Sequence, residues 1–221
     1  MPLRLTQEHV ILCEGLADQN FLRKMQEHRN GMPAFDMLPP QEHFGSTNFD
    51  RMLVALRGDP TAFARLRGVL IVADSHDDPQ QTFDQIKVQI ERAGKYPVPN
   101  KLLEIAPRTA DHPAVCVMLL PDEGNPGGLE TLCFRYLTRQ PHDWIKGCIE
   151  AFLRCDRIEA HTWGSETLDK SRYECAVAAT NRADPSKAVS YAFKDPGPLV
   201  VVTDPCFNDV ERRLKLFFAG T

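Results

Sequence analysis

The chain has 221 residues, enough for one well-packed domain and short for two. Its 43% apolar and 25% charged residues are the proportions of a folded globular protein, which excludes a disordered or fibrous chain. The formal charge of −4 gives no long-range pull on polyanions, so a nucleic-acid partner requires a local basic patch.

The longest apolar runs, such as Val69–Ala73 and Val115–Leu120, are far too short to span a bilayer. The opening MPLRLTQEHV lacks the apolar core of a signal peptide, which points to a cytoplasmic protein without a membrane partner. Seven cysteines (13, 116, 133, 148, 155, 175 and 206) contain no Cys-x-x-Cys pair. Several lie among apolar neighbours and read as buried free thiols, neither a disulfide frame nor a zinc site.

In chain order, His9–Cys13 is a short apolar strand that ends in a turn at Glu14-Gly15. A helix follows, with Asp18 as its N-cap and Phe21, Leu22 and Met25 on one face. Met32–His43 is proline-rich, and Ala34–Leu38 within it reads as a short second strand. Gly45–Asn48 announces a helix carrying Phe49, Leu53 and Leu56. Gly68–Ala73 is a continuous apolar strand, the pattern of burial on both faces. It breaks into Asp74-Ser75-His76-Asp77-Asp78-Pro79, and a helix bearing Phe83, Ile86, Ile90 and Ala93 runs on to Gly94. Ala114–Leu120 is a second fully buried strand, ending in Pro121-Asp122-Glu123-Gly124. The alternation predicts an α/β fold with a largely parallel sheet flanked by helices. Beyond it, 143–154 (Trp144, Cys148 and Phe152 on one side), 166–180, 187–193 and 210–218 read as helices, and Leu199–Val202 as a strand. One domain over 1–221 results, with a core at about 7–140 and a helical C-terminal extension at about 141–221.

In an open parallel sheet, ligands collect outside the carboxyl ends of the strands. Acids crowd that edge: Glu14 and Asp18 after the first strand, then Asp74, Asp77 and Asp78 with His76 after the central one. Asp122, Glu123 and Glu130 follow the last strand. So many carboxylates cannot all ionise close together without a counter-charge, and one or two hard divalent cations supply it most simply. Two such ions clamp the oxygens of a phosphodiester displacement, so the implied chemistry is phosphoryl transfer or hydrolysis.

Ile11–Asp18 (ILCEGLAD) with Val72–Pro79 (VADSHDDP) resembles the TOPRIM domain, the metal-binding α/β module of topoisomerases, primases and overcoming-lysogenisation-defect (OLD) nucleases. The likeness is greatest to small, stand-alone, OLD-like TOPRIM proteins of uncharacterised function. Pro121–Glu130, Cys148–Leu153, Ser186–Ala188 and Asp195–Gly197 extend the resemblance over most of the chain. It implies a metal-dependent nuclease in which Glu14 is metal ligand or general base and Asp18 a second acid. Asp74 is then the first aspartate of Asp-x-Asp, Glu130 a further carboxylate, and Lys187 a stabiliser of phosphorane-like charge. The second aspartate of Asp-x-Asp falls on His76. Imidazole suits Mn²⁺, Zn²⁺ or Ni²⁺ better than Mg²⁺. Either Asp77 or Asp78 takes the oxygen role, or the site prefers a softer metal, or activity is lost.

Structural roles stand beside these. Asp18 and Asp78 each suit a helix N-cap, Asp78 with Pro79 at the first helical position. Lys187 reads equally as a surface lysine, His76 as a turn residue, and Asp122 and Glu123 as loop acids. Arg23, Lys24, Arg29, Arg65 and Arg67 are candidate phosphate contacts or a solvated face; Arg212, Arg213 and Lys215 line the polar side of the last helix. No phosphate-binding Gly-x-x-x-x-Gly-Lys-Ser/Thr loop, dinucleotide Gly-x-Gly-x-x-Gly or Gly-x-Ser-x-Gly elbow occurs. The tyrosines at 96, 136, 173 and 191 lack the separate domain that strand passage needs. The expectation is a Mg²⁺- or Mn²⁺-dependent nuclease or phosphotransferase whose metal ligands are Glu14, Asp18, Asp74, His76, Asp78 and Glu130. The alternative is a non-catalytic metal- or nucleic-acid-binding module working with a partner ATPase or as a homodimer. Hydrolysis of a small phosphorylated molecule is a third reading.

Overall fold

The structure, a computed structural model, describes residues 5–38 and 48–221. Four strands form one sheet: β1 (His9–Cys13), β2 (Asp36–Leu38), β3 (Gly68–Asp74) and β4 (Ala114–Leu120). They lie in the order β2-β1-β3-β4, and every pair is parallel. The chain steps from β1 outward to β2, returns past β1 to β3, and continues to β4. The direction of winding therefore reverses between β1 and β3, the switch point at which such sheets bind ligands.

Period-2 alternation explains the layers. Ile11, Cys13, Leu70, Val72, Cys116, Met118 and Leu120 project to one face of the sheet. There they meet α1 (Leu16–His28), α5 (Leu129–Leu137) and α8 (Asn208–Gly220), with α6 (Asp143–Leu153) and α7 (Ser165–Thr180) completing the layer. Val10, Leu12, Val69, Ile71, Ala73, Val115, Val117 and Leu119 project to the other face. Those pack on α2 (Phe49–Leu56), α3 (Pro60–Arg65) and α4 (Pro79–Ala93). Each of these fully buried aliphatic side chains contributes about 1.5–3 kcal/mol of transfer free energy. The result is a Rossmann-like α/β sandwich whose C-terminal helices belong to the core. Phe217 of α8 lies so close to Gly68 that a Cβ there would come within 2.7 Å of its ring. Among the described residues, no helix is long and apolar enough to cross a membrane.

Several sequence expectations change. α1 begins at Leu16 with Gly15 as its N-cap, so Asp18 lies in the first turn and not at the cap. Residues 187–193 form only a short 3-10 turn at Val189–Tyr191, and 199–202 form turns, not a strand, because neighbouring prolines deny a ladder to that segment. The buried side of α6 is Ile145, Ile149 and Leu153; Trp144, Cys148 and Phe152 face outward. All seven cysteines are free, but only Cys13, Cys116 and Cys133 are fully buried, while Cys148 and Cys155 are exposed. The helix signal at 45–47 lies outside the described residues; α2 starts directly after Asn48.

Arg213 is the largest departure. It sits on the buried side of α8, only 1% exposed, and not on the polar side with Arg212 and Lys215. Its guanidinium donates to the carbonyls of Leu119 (2.7 Å) and Pro121 (2.5 Å) and lies 2.9 Å from Asp209. The last helix is thereby fastened to the carboxyl end of β4.

Candidate functional site

Glu14 follows β1 and Asp74 ends β3, so the two carboxylates flank the switch point across neighbouring strands. The Glu14 side chain is only 13% exposed and reaches toward the Asp74 backbone, with Oε2 at 3.5 Å from its amide nitrogen. Asp18, one turn into α1, is buried, and its Oδ2 accepts from the Gly15 amide at 2.9 Å. That bond satisfies one orphan donor at the helix start and pins the carboxylate in place. Asp74 keeps some contact with solvent, yet protein surrounds it so closely that its carboxyl behaves as a buried group.

Asp74 is fixed from the opposite side. Its Oδ1 accepts from the Leu129 amide at 3.0 Å, the first amide of α5, where a carboxylate also meets the favourable end of the helix dipole. Gly128 makes this approach possible, because any Cβ at that position would overlap the Asp74 carboxyl group. Gly127 has φ of +124° and carries the same constraint toward Thr131 and Asp169. Glu130, next along α5, is partly buried at the same edge. The Gly-Gly-Leu-Glu run thus brings the Leu129 amide onto the Asp74 carboxylate and carries Glu130 at the same edge.

The loop after β3 is tied down by its backbone. The Ser75 hydroxyl donates to the carbonyls of Asn125 (2.7 Å) and Gly127 (3.1 Å), and His76 exchanges two backbone hydrogen bonds with Gly127. His76 holds a left-handed conformation with φ of +51°, uncommon outside glycine, which turns its ring to within 3.7 Å of Glu14. Asp77 accepts from the Ser165 amide at 2.6 Å and caps α7 from outside that helix. Asp78 caps α4, its Oδ1 accepting from the Gln80 and Gln81 amides, with Pro79 following as the sequence indicates. Asp77 and Asp78 are thus both engaged in capping, each through one carboxylate oxygen.

The electrostatics follow from enclosure. Burial, reinforced by repulsion from Glu14 and Glu130, pushes the Asp18 carboxyl up to about 7. Burial also raises Asp74 well above the carboxylate range, with Asp18, Glu14 and Glu130 adding repulsion. Glu130 is raised chiefly by burial, although Lys170 opposes the shift. The adjacent Glu14 carboxylate raises His76, so the imidazolium is favoured beside it. Among the described residues, no lysine or arginine forms an ion pair with Asp18, Asp74 or Glu130. Four acids thus influence one another at the sheet edge with little positive charge among them.

Among the described residues, Lys187 forms no ion pair with these acids. Its backbone carbonyl accepts from the Tyr173 hydroxyl at 3.0 Å, which ties its segment to α7. The nearby cation is Lys170 of α7, whose ammonium pairs with Glu166 at 2.5 Å and lies within electrostatic reach of Glu130 and Asp74. Asp169 is the other residue that sequence reasoning missed. It accepts from the Thr131 hydroxyl and pairs with Arg172 at 3.3 Å, joining α7 to the start of α5. The adjacent glycines before α5 were visible in the sequence, but nothing there linked residues 169 and 170 to strands one hundred residues earlier.

The donor chemistry fits a hard divalent cation: carboxylate oxygens at a switch point, two anchored by amides and two on longer side chains. Among the described residues, no three His, Cys, Asp or Glu side chains are drawn together closely enough to hold a metal as they stand. Mg²⁺ commonly takes only one or two carboxylates and keeps its waters, so a site for that ion needs fewer than three such side chains in place.

No curated protein and no solved structure matches the chain. Residues 8–198 match the family described as "Protein of unknown function (DUF3226)", a span that takes in every acid of the site together with α7. The chain belongs to that family.

Proposed function

We propose that the protein is a divalent-cation-dependent hydrolase or phosphotransferase of nucleic-acid phosphodiesters, with a TOPRIM-like arrangement of acids. The observation that carries this reading is the enclosure of Asp18 and Asp74 beside Glu14 and Glu130, at the β1/β3 switch point, without a basic partner. Enclosed acids left unpaired cost stability, and a group so held is a strong pointer to function.

Asp18 and Asp74 would hold Mg²⁺ or Mn²⁺, with Glu14 and Glu130 closing on it and His76 at the rim. When bound, the ion neutralises charge on phosphoryl oxygens and lowers the pKa of an attacking water. Glu14 would accept the proton of an attacking water, and His76, whose affinity for a proton the Glu14 carboxylate raises, would donate to a leaving oxygen. Lys170 takes the charge-stabilising role expected of Lys187, because it is the lysine within electrostatic reach of the acids. DNA or RNA is the partner, and the free thiols suit a cytoplasmic setting.

One observation favours a second reading, a non-catalytic module acting with a partner ATPase or as a homodimer. The four acids are not drawn into a metal-holding set, and His76 stands where the TOPRIM resemblance expects an aspartate. Glu14→Ala separates the two. Incubated with supercoiled plasmid, single-stranded DNA and RNA under Mg²⁺ or Mn²⁺, the wild type is expected to cut at least one, and Glu14→Ala to lose at least a hundredfold. Equal residual cleavage by both proteins would mark a contaminant and overturn the catalytic reading.

A further inference from the structure

A cleft of about 570 Å³ opens beside the acids, between α7 and the segment 185–189. Its volume lies within the range of about 300–1,000 Å³ typical of small-ligand sites. Glu130 and Lys170 line it, so it begins where the carboxylate cluster ends. Away from that rim the lining is mainly apolar, including Ala178, Val189 and Tyr173, whose hydroxyl is turned away to the Lys187 carbonyl. Glu174 adds a carboxylate acceptor to the wall. Ser186 and Ala188, which flank Lys187, line the far wall of this cleft.

The arrangement asks for a ligand with an anionic group at one end and a flat, largely apolar body at the other. The anion would meet Lys170 at the metal edge. The body would lie between the side chains of α7 and the opposite segment, offering an amine to Glu174. We propose that this cleft takes a single unpaired nucleoside, and so selects single-stranded over duplex nucleic acid. One nucleoside fits the space; a base pair with its two backbones does not. The inference rests on the phosphodiester reading above and adds its substrate class.

The test uses an eight-nucleotide DNA strand and the matching duplex, both fluorescein-labelled, with Ca²⁺ present in place of the cations that support cleavage. Wild type is expected to bind the single strand at least tenfold tighter than the duplex. Ala178→Trp, at an exposed helix position, fills the cleft and should weaken single-strand binding at least tenfold while Mn²⁺ uptake by calorimetry stays unchanged. In a second readout, the strand should protect Cys175, which lines the cleft, from iodoacetamide while leaving Cys155 reactive. Equal affinity for strand and duplex, or an Ala178→Trp protein that binds as the wild type does, would overturn the cleft assignment. If Mn²⁺ uptake and cleavage persist in that case, the phosphodiester reading survives. Loss of both in the wild type overturns that reading, and the cleft assignment with it.

Discussion

Two sites of buried charge lie near the carboxyl edge of the sheet, and they are built in opposite ways. Arg213 is largely partnered by the protein: the Leu119 and Pro121 carbonyls accept from its two terminal nitrogens. The Asp209 carboxylate lies 2.9 Å from Nε as an ion pair without a hydrogen bond, and the side chain fastens α8 to the end of β4. Asp18 and Asp74 each receive one backbone amide and face other acids. A buried charge with its partners in place is a structural rivet. One that lacks a counter-charge is either a liability or a place prepared for a cation from outside. Arg213 is structural, and the acids are the residues to which the proposed function is attached.

The largest effect should come from breaking the completed site. Arg213→Ala leaves the Leu119 and Pro121 carbonyls without their donor and a cavity beneath α8. A loss of about 3–5 kcal/mol, the usual cost of breaking a buried charge network, is expected in urea unfolding at pH 7.5. A loss below about 1 kcal/mol would mean that water replaces the guanidinium at little cost.

Asp18→Asn sharpens the comparison with the opposite sign. The folded protein holds the Asp18 proton up to about 7, whereas the ordinary value is 3.8. The folded form therefore binds more protons than the unfolded chain in this interval. The contribution is fully present below 3.8 and is lost as pH rises to about 7. Metal-free wild type should accordingly lose on the order of 3 kcal/mol between pH 4.5 and 7.5 through this group. Asp18→Asn should flatten that slope and be the more stable protein at pH 7.5 without metal, while binding metal more weakly. An unchanged slope, followed by thermal melts across the range, would remove Asp18 from the account.

The smallest effect concerns His76. An aspartate at this position restores an oxygen donor where imidazole stands, so His76→Asp should shift the preference from Mn²⁺ toward Mg²⁺ by severalfold, read as the ratio of the two affinities. An unaltered ratio would place His76 outside the metal's reach, as a partner of Glu14 alone.

The strands and the acids at their ends were legible because both rest on local pattern. Gly68–Asp74 and Ala114–Leu120 are apolar runs with no competing conformation, and Glu14, Asp74 and Glu130 directly follow strand or glycine signals. What escaped depends on tertiary contact. A 3.6-residue pattern places Arg213 beside polar neighbours as readily as beneath them, and only the exposed carbonyls of β4 make its burial tolerable. Lys170 and Asp169 belong to a helix whose own periodicity is weak, so no local signal aims them at the sheet edge. The sequence does not separate capping from coordination at Asp77 and Asp78, because both use the same side chain, and the fold shows the capping.

The central claim is that the acids at the β1/β3 edge await a divalent cation. Calorimetric titration of Mn²⁺ into the protein at pH 6.5, in two buffers of different ionisation enthalpy, tests it most directly. The account predicts saturable uptake with a buffer-dependent heat, because Asp18 must release its proton to the solvent as the ion enters. Asp18→Asn should bind more weakly and lose most of the buffer dependence. No uptake, or uptake with the same heat in both buffers and in Asp18→Asn, would contradict the claim.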